Sequence, residues 1–92
     1  MRRKRSIYDI YADVLKVIRA LRSASITKIS YGAELPVDRA KKVVDILVKA
    51  GLVRKIVKGD RIFYIVTEKG LGYLEAYFKL REYLSEENFS EY

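Results

Sequence analysis

With 92 residues, 50% hydrophobic and 34% charged, the chain is long enough for one folded domain with a modest core and too apolar to stay disordered. It has no His and no Cys, which removes the commonest general base, thiolate metal sites and any disulfide framework, and no apolar run approaches the roughly 20 residues of a membrane span. The net charge of +7 is uneven: residues 1–22 hold seven basic and two acidic side chains, whereas residues 68–92 hold three basic and six acidic ones, so a polyanion is drawn to the body and repelled by the end.

Met1 to Arg5 (MRRKR) is a basic run without apolar periodicity and is expected to form a flexible arm. Ser6, with Asp9 three residues on, predicts a capped helix start. Ile7, Ile10, Tyr11, Val14, Leu15, Ile18 and Leu21 then recur at threes and fours, the mark of an amphipathic helix to about Arg22. Ser23-Ala24-Ser25 breaks it, and Ser25 can cap a short helix over 26–33 with Ile26, Ile29 and Ala33 inward. Pro36 suits the start of a third helix, because its missing N–H is not needed there. In that helix Ala40, Val44 and Leu47 form the core stripe, flanked by Val37, Val43 and Val48. Asp38, Lys42, Asp45 and Lys49 point the other way, with Arg39 and Lys41 on the shoulders. Gly51 ends the helix as a left-handed cap. Two runs rich in Val, Ile, Phe and Tyr follow, joined by Lys58-Gly59-Asp60 as a short hairpin connection. Thr67 caps a last helix to about Ser85, and residues 86–92 are an acidic tail.

Three helices, a basic-tipped hairpin and a closing helix are the plan of an α+β winged helix-turn-helix, with residues 6–67 as its body and 68–85 as a C-terminal dimerisation helix. The last helix carries two apolar stripes, Leu71, Leu74 and Phe78 on one and Tyr73, Tyr77, Leu80 and Leu84 on the other. A domain of this size has one core to cover, so the second stripe calls for another surface, and self-association supplies it most simply. The alternative is a single broad buried face.

The chain resembles a known group in three stretches: Ile-Tyr-Asp-Ile-Tyr-Ala-Asp-Val-Leu (7–15), Thr-Lys-Ile-Ser-Tyr-Gly-Ala-Glu-Leu-Pro (27–36), and Lys-Ala-Gly-Leu-Val (49–53) paired with Tyr-Ile-Val-Thr-Glu-Lys-Gly (64–70). It is similar there to small archaeal winged-helix DNA-binding proteins, especially the Sulfolobus ten-a group of basic chromosomal proteins. The resemblance spans about residues 6–84 and implies double-stranded DNA binding and dimerisation through the last helix. Pro36 stands where the group carries a capping Ser, and this last helix is shorter than the group's.

Docked as a helix-turn-helix, the third helix enters a major groove with its first turns nearest the bases. Arg39 is then the candidate for bidentate contact to guanine, with Lys41 and Lys42 beside it. Asp38 either accepts from cytosine or simply favours the helix start. Lys28, Ser30 and Tyr31 lie on or near the outer side of the short helix, where Lys28 can meet phosphate and Tyr31 is either a contact or a packing residue. At the wing Lys58 and Arg61 flank the turn, and Arg54 or Lys55 is a further contact. Arg2, Arg3, Lys4 and Arg5 on the arm can reach phosphates or a minor groove.

The expected function is that of a transcription regulator or chromosomal architectural protein, cytoplasmic and nucleoid-associated. No cofactor, metal, membrane or small-molecule substrate is expected. The chain has no P-loop, no Gly-rich dinucleotide turn and no metal-spaced carboxylates, so an enzyme is not expected either. The rival is a protein-interaction module that uses the tyrosine-rich last helix.

Overall fold

A computed structural model describes residues 4–84, which form four helices and one two-stranded sheet. Helix α1 (Ile7–Leu21) begins with the expected capping box: Ser6 accepts from the Asp9 N–H, and the Asp9 carboxylate accepts from the Ser6 N–H. Its apolar face centres on Ile10, Val14, Leu15 and Ile18, with Ala12 also buried, while Ile7 and Leu21 at its ends stay exposed. Helix α2 (Ile26–Ala33) starts on Ser25 and buries Ile29 and Ala33. Helix α3 (Val37–Lys49) follows a turn closed by the Leu35 N–H donating to the Ser30 carbonyl. Its buried stripe is Ala40, Val43, Val44 and Leu47, so Val43 belongs to the core itself rather than its flank.

The end of α3 is a complete glycine stop. Gly51 has φ +82°, its N–H donates to the Val48 carbonyl, and the Leu52 N–H reaches back to Leu47. This double bond pattern closes the helix and turns the chain straight into β1 (Val53–Lys58). Strand β1 pairs antiparallel with β2 (Arg61–Val66) in the register Val53↔Val66 through Lys58↔Arg61. That leaves a two-residue turn, Gly59-Asp60, with positive φ at Gly59 alone, the pattern of a type II′ hairpin turn. The sequence break at Ser23-Ala24-Ser25 has a further role. Ala24 exchanges both backbone hydrogen bonds with Tyr64, at 3.0 and 2.9 Å, and so extends the sheet by one residue on the far side of β2.

Helix α4 (Glu68–Tyr83) packs across α1. Leu74 is its one fully buried large side chain; Tyr73 and Tyr77 are half-buried against the core, and Leu71 and Phe78 are exposed. The first expected stripe therefore does not survive as a unit, because α1 covers Leu74 and the tyrosine side of α4 but not Leu71 or Phe78. The start of α4 is joined to the end of α3 by two side-chain contacts, one of them from the residue that caps α4. The Thr67 hydroxyl donates to the Gly51 carbonyl and accepts from the Gly70 N–H, and the Lys69 ammonium donates to the Ala50 carbonyl at 2.7 Å.

Gly70 completes that junction by close approach. A Cβ at Gly70 would lie 2.3 Å from the Leu52 carbonyl oxygen and 2.7 Å from Val66 Cγ1, whereas one at Gly72 would meet nothing within 4 Å. Gly70→Ala is expected to destabilise the fold by about 1–3 kcal/mol. Gly72→Ala, in open space on the same helix, is expected to stabilise it by about 0.5–1 kcal/mol. Thermal denaturation of the two variants checks the pair, and equal shifts would refute the close-contact account.

Candidate nucleic-acid interface

The basic side chains expected at a polyanion surface divide into two groups once their surroundings are known. Arg39, Lys41 and Lys42 stand exposed on α3, and no ion pair holds them among the described residues. Lys42 is on the side opposite the Ala40, Val44 and Leu47 stripe, and Arg39 and Lys41 lie on the two shoulders beside it. Lys28 is exposed in the first turn of α2, and Tyr31 is 88% exposed rather than packed in the turn.

The hairpin register decides what strand alternation alone left open. Directly paired residues share a face, so Arg54, Lys58 and Arg61 lie on one side with Ile56, Phe63 and Ile65. Lys55 lies on the other side, with Val53, Val57, Ile62, Tyr64 and Val66. The Arg61 guanidinium sits 4.9 Å from the centre of the Phe63 ring, a cation–π contact that lays this side chain back along the strand.

Between α3 and the hairpin is an open cleft of about 500 Å³, lined by Ile26, Lys41, Lys42, Asp45, Asp60, Ile62 and Tyr64. The cleft brings the start of α2, the exposed side of α3 and the tip of the wing around one opening. Burial, and secondarily the Asp45 carboxylate, pushes the Tyr64 hydroxyl pKa up, so this floor residue stays neutral. Asp45 and Asp60 place two carboxylates here that counting basic residues alone would overlook.

Other expected contacts prove to be internal. Arg5 does not belong to a flexible arm. Its guanidinium donates to Asp13 Oδ2 at 3.0 Å, to the Ala33 carbonyl at 2.7 Å and to the Glu34 carbonyl at 3.0 Å, and its side chain is only 9% exposed. It thus ties α1 to the C-terminal end of α2, where free carbonyls attract a cation. Ser30 is likewise engaged, donating its hydroxyl to the Leu35 carbonyl across the turn. Lys4 is exposed, and Arg2 and Arg3 lie outside the described residues.

The stripe expected as a dimer seam divides in two. The Tyr73 hydroxyl donates to the Tyr8 carbonyl at 2.8 Å, and the Tyr77 hydroxyl donates to the Asp9 carboxylate. The two rings stack on each other with centroids 6.4 Å apart. Burial, with the neighbouring phenols and Asp9, raises the Tyr73 pKa to about 12. Both tyrosines therefore fasten α4 to α1 within one chain, whereas Leu80 and Leu84 further along are exposed. Spacing placed all four on one side of a helix but did not contain the crossing point at which α1 ends its cover.

This arrangement of helix-turn-helix, hairpin and closing helix can now be set against known proteins. The sequence model of the winged helix-turn-helix family matches residues 4–85. The chain belongs to that family. Its fold is similar to that of Sso10a-2, a DNA-binding protein from Sulfolobus solfataricus, with 34% identity over 95% of each chain and a TM-score of 0.75. That match supports its place with the small archaeal winged-helix proteins. The fold is also similar to that of BpsR from Bordetella bronchiseptica, at 14% identity and a TM-score of 0.76 over 87% of this chain and 63% of the other. The TubR fragment from Clostridium botulinum gives 17% identity and a TM-score of 0.62 over 83% and 98%. Comparison with curated proteins gives no match. No helix among the described residues is long and apolar enough to cross a membrane.

The placement of Arg5 has a measurable consequence. Arg5→Ala leaves the Ala33 and Glu34 carbonyls and the Asp13 carboxylate without this partner, and is expected to lower stability by about 2 kcal/mol. Lys4→Ala, on an exposed neighbour, should change it by less than about 0.5 kcal/mol. Chemical denaturation of the two variants would reveal the difference, and equal values would return Arg5 to the arm.

Proposed function

We propose that this protein binds double-stranded DNA as a homodimer, as a transcription regulator or a chromosomal architectural protein. In this reading α3 enters the major groove, the wing lies on the adjacent backbone or minor groove, and residues 1–4 supply further phosphate contacts. The observation that carries it is the set of exposed cations Arg39, Lys41 and Lys42 on α3, with Lys41 and Lys42 across a cleft from a basic hairpin, on a chain 34% identical to a DNA-binding protein. Cations held by no partner in the chain can meet phosphate or base edges without first breaking an internal ion pair. Arg39, nearest the start of α3, has the planar fork that matches guanine O6 and N7. Lys28 and Tyr31 on α2 are placed for the backbone, where the first helix of the motif crosses it.

Arg39→Ala combined with Lys42→Ala is expected to weaken duplex binding about 100-fold, from the loss of one base contact and one phosphate contact. Fluorescence anisotropy with a labelled duplex measures it, and unchanged affinity would reject this docking. In the same assay log affinity should fall linearly with log salt, by about 0.9 per phosphate neutralised, and removing residues 1–4 should make that slope shallower. Similar affinity for random and selected duplexes would indicate an architectural protein. A preference of about a thousandfold or more would indicate a sequence-specific regulator.

For the dimer, Leu80 and Leu84 are the seam positions that the chain itself leaves uncovered, at 59% and 52% exposure. Leu80→Asp with Leu84→Asp is expected to convert a dimer to a monomer without unfolding it, because neither side chain belongs to the core. Sedimentation equilibrium reads both species. A native protein that is monomeric throughout the micromolar range would remove the homodimer from the proposal.

A further inference from the structure

The tip of the wing carries an apolar pair that its own fold does not cover. Val57 and Ile62 are directly paired across the hairpin, immediately before the Gly59-Asp60 turn, and are 61% and 42% exposed. Scattered exposed hydrophobic residues are ordinary. These two differ in being adjacent on one face at the turn end of the sheet, outside the buried core. Toward the base, the same face continues into Tyr64, Val53 and Val66, which pack on the body. The face therefore passes from buried to bare along its length.

Resting on the DNA-binding reading above, we propose that the Val57–Ile62 pair is a wedge that enters the minor groove next to α3 and partly unstacks one base step. Three observations choose this occupant. First, Ile62 lines the cleft together with Lys41 and Lys42, so this member of the pair faces the same opening as those two cations. Second, cations outnumber acids around the tip: Lys55 lies on the pair's own face and Lys58 and Arg61 beside the tip on the other, against Asp60 in the turn, which suits an anionic groove rather than an apolar protein surface. Third, the reach is right. Five residue steps from Val53 to Lys58 span roughly 17 Å. That is about half of the roughly 34 Å helical turn of DNA, and so the distance from a major groove to the neighbouring minor groove.

The side chains suit the task. Both are β-branched and stiff at χ1, so inserting them freezes little rotamer freedom. The turn beyond them is a glycine and one short acid, which leaves no bulky side chain ahead of the wedge. Apolar side chains inserted from the minor groove open a base step and bend the duplex toward the local major groove, which at that step faces away from the protein.

The test uses the full chain and a duplex of about 25 base pairs with a dye at each end and 2-aminopurine at successive positions along the adjacent minor groove. The native protein should shorten the end-to-end distance and raise 2-aminopurine emission at one step. Val57→Thr with Ile62→Thr keeps the β-branched shape and strand preference while removing the apolar tips. It should lose the emission change and most of the bend, bind about tenfold more weakly, and keep the salt slope of the native protein. A native complex that forms without unstacking, or a double variant that unstacks and bends as well as the native chain, overturns the wedge and leaves the DNA-binding reading standing. Absence of any complex at low salt overturns both.

Discussion

The junction between the end of α3 and the start of α4 is the constraint on which the interface depends. The glycine stop at residues 50–52 aims the chain into β1, and the chain returns along β2 to the same place. There the Thr67 N–H donates to the Leu52 carbonyl, the Thr67 hydroxyl to Gly51, and the Lys69 ammonium to Ala50, while Gly70 lets α4 lie directly on the Leu52 backbone. The carbonyls of the cap and stop that follow α3, at Ala50, Gly51 and Leu52, are met by groups arriving from the far side of the hairpin. The base of the wing is thereby fixed to the helix it accompanies. A second tether, the Ala24–Tyr64 bridge, holds β2 to the corner between α1 and α2. Only the outer half of the hairpin projects free of the body.

The same electrostatic device appears at the end of α2, where Arg5 answers the Ala33 and Glu34 carbonyls. Two of the nineteen basic side chains thus serve helix C-termini from within the chain, and a count of net charge treats them like Arg39. What separates them is the company they keep. Arg39 and Lys42 are exposed on α3 and make no ion pair among the described residues, whereas Arg5 precedes a helix whose Asp13 and whose neighbour's carbonyls converge on it. An exposed cation with no internal partner remains available to a polyanion; a cation bound to two carbonyls and a carboxylate does not.

This difference also explains which parts of the molecule were legible in the sequence. The first three helices, the hairpin and their boundaries follow from local signals: Ser6, Ser25 and Thr67 at helix starts, Gly51 with its positive φ, and the 3.6-residue period of the apolar stripes. Once the Gly59-Asp60 turn is known to hold two residues, the side on which Arg54 and Lys55 lie follows too. Non-local partners were not legible. Nothing near Arg5 signals carbonyls 28 residues away, and an isolated one-residue bridge at Ala24 has no periodicity to betray it. The stripes of α4 failed for the same reason: spacing groups Tyr77 with Leu80, but the crossing of α1 decides that the first is held and the second is bare.

The outer half of α4 shows where a second surface would act. After Tyr77 the helix runs on to Tyr83, yet Phe78, Leu80, Tyr83 and Leu84 are all exposed. A helix already nucleated by its packed first half can propagate at small cost, but beyond Phe78 no apolar side chain of these last turns is buried by the described residues to offset the backbone entropy lost. Their hold on the body includes Lys16 and Arg19 of α1 over the Phe78 ring, and Arg81, which lies over the Tyr77 ring and 4.0 Å from the Asp9 carboxylate that also accepts from the Tyr77 hydroxyl. That cluster fixes the direction of the helix while leaving its leucine ridge open. Packing that ridge against a like ridge would add burial without disturbing the tyrosine contacts, since the two lie along different stretches of the helix. The intrachain role of Tyr73 and Tyr77 and an interchain role for Leu80 and Leu84 are therefore compatible, and the first positions the second.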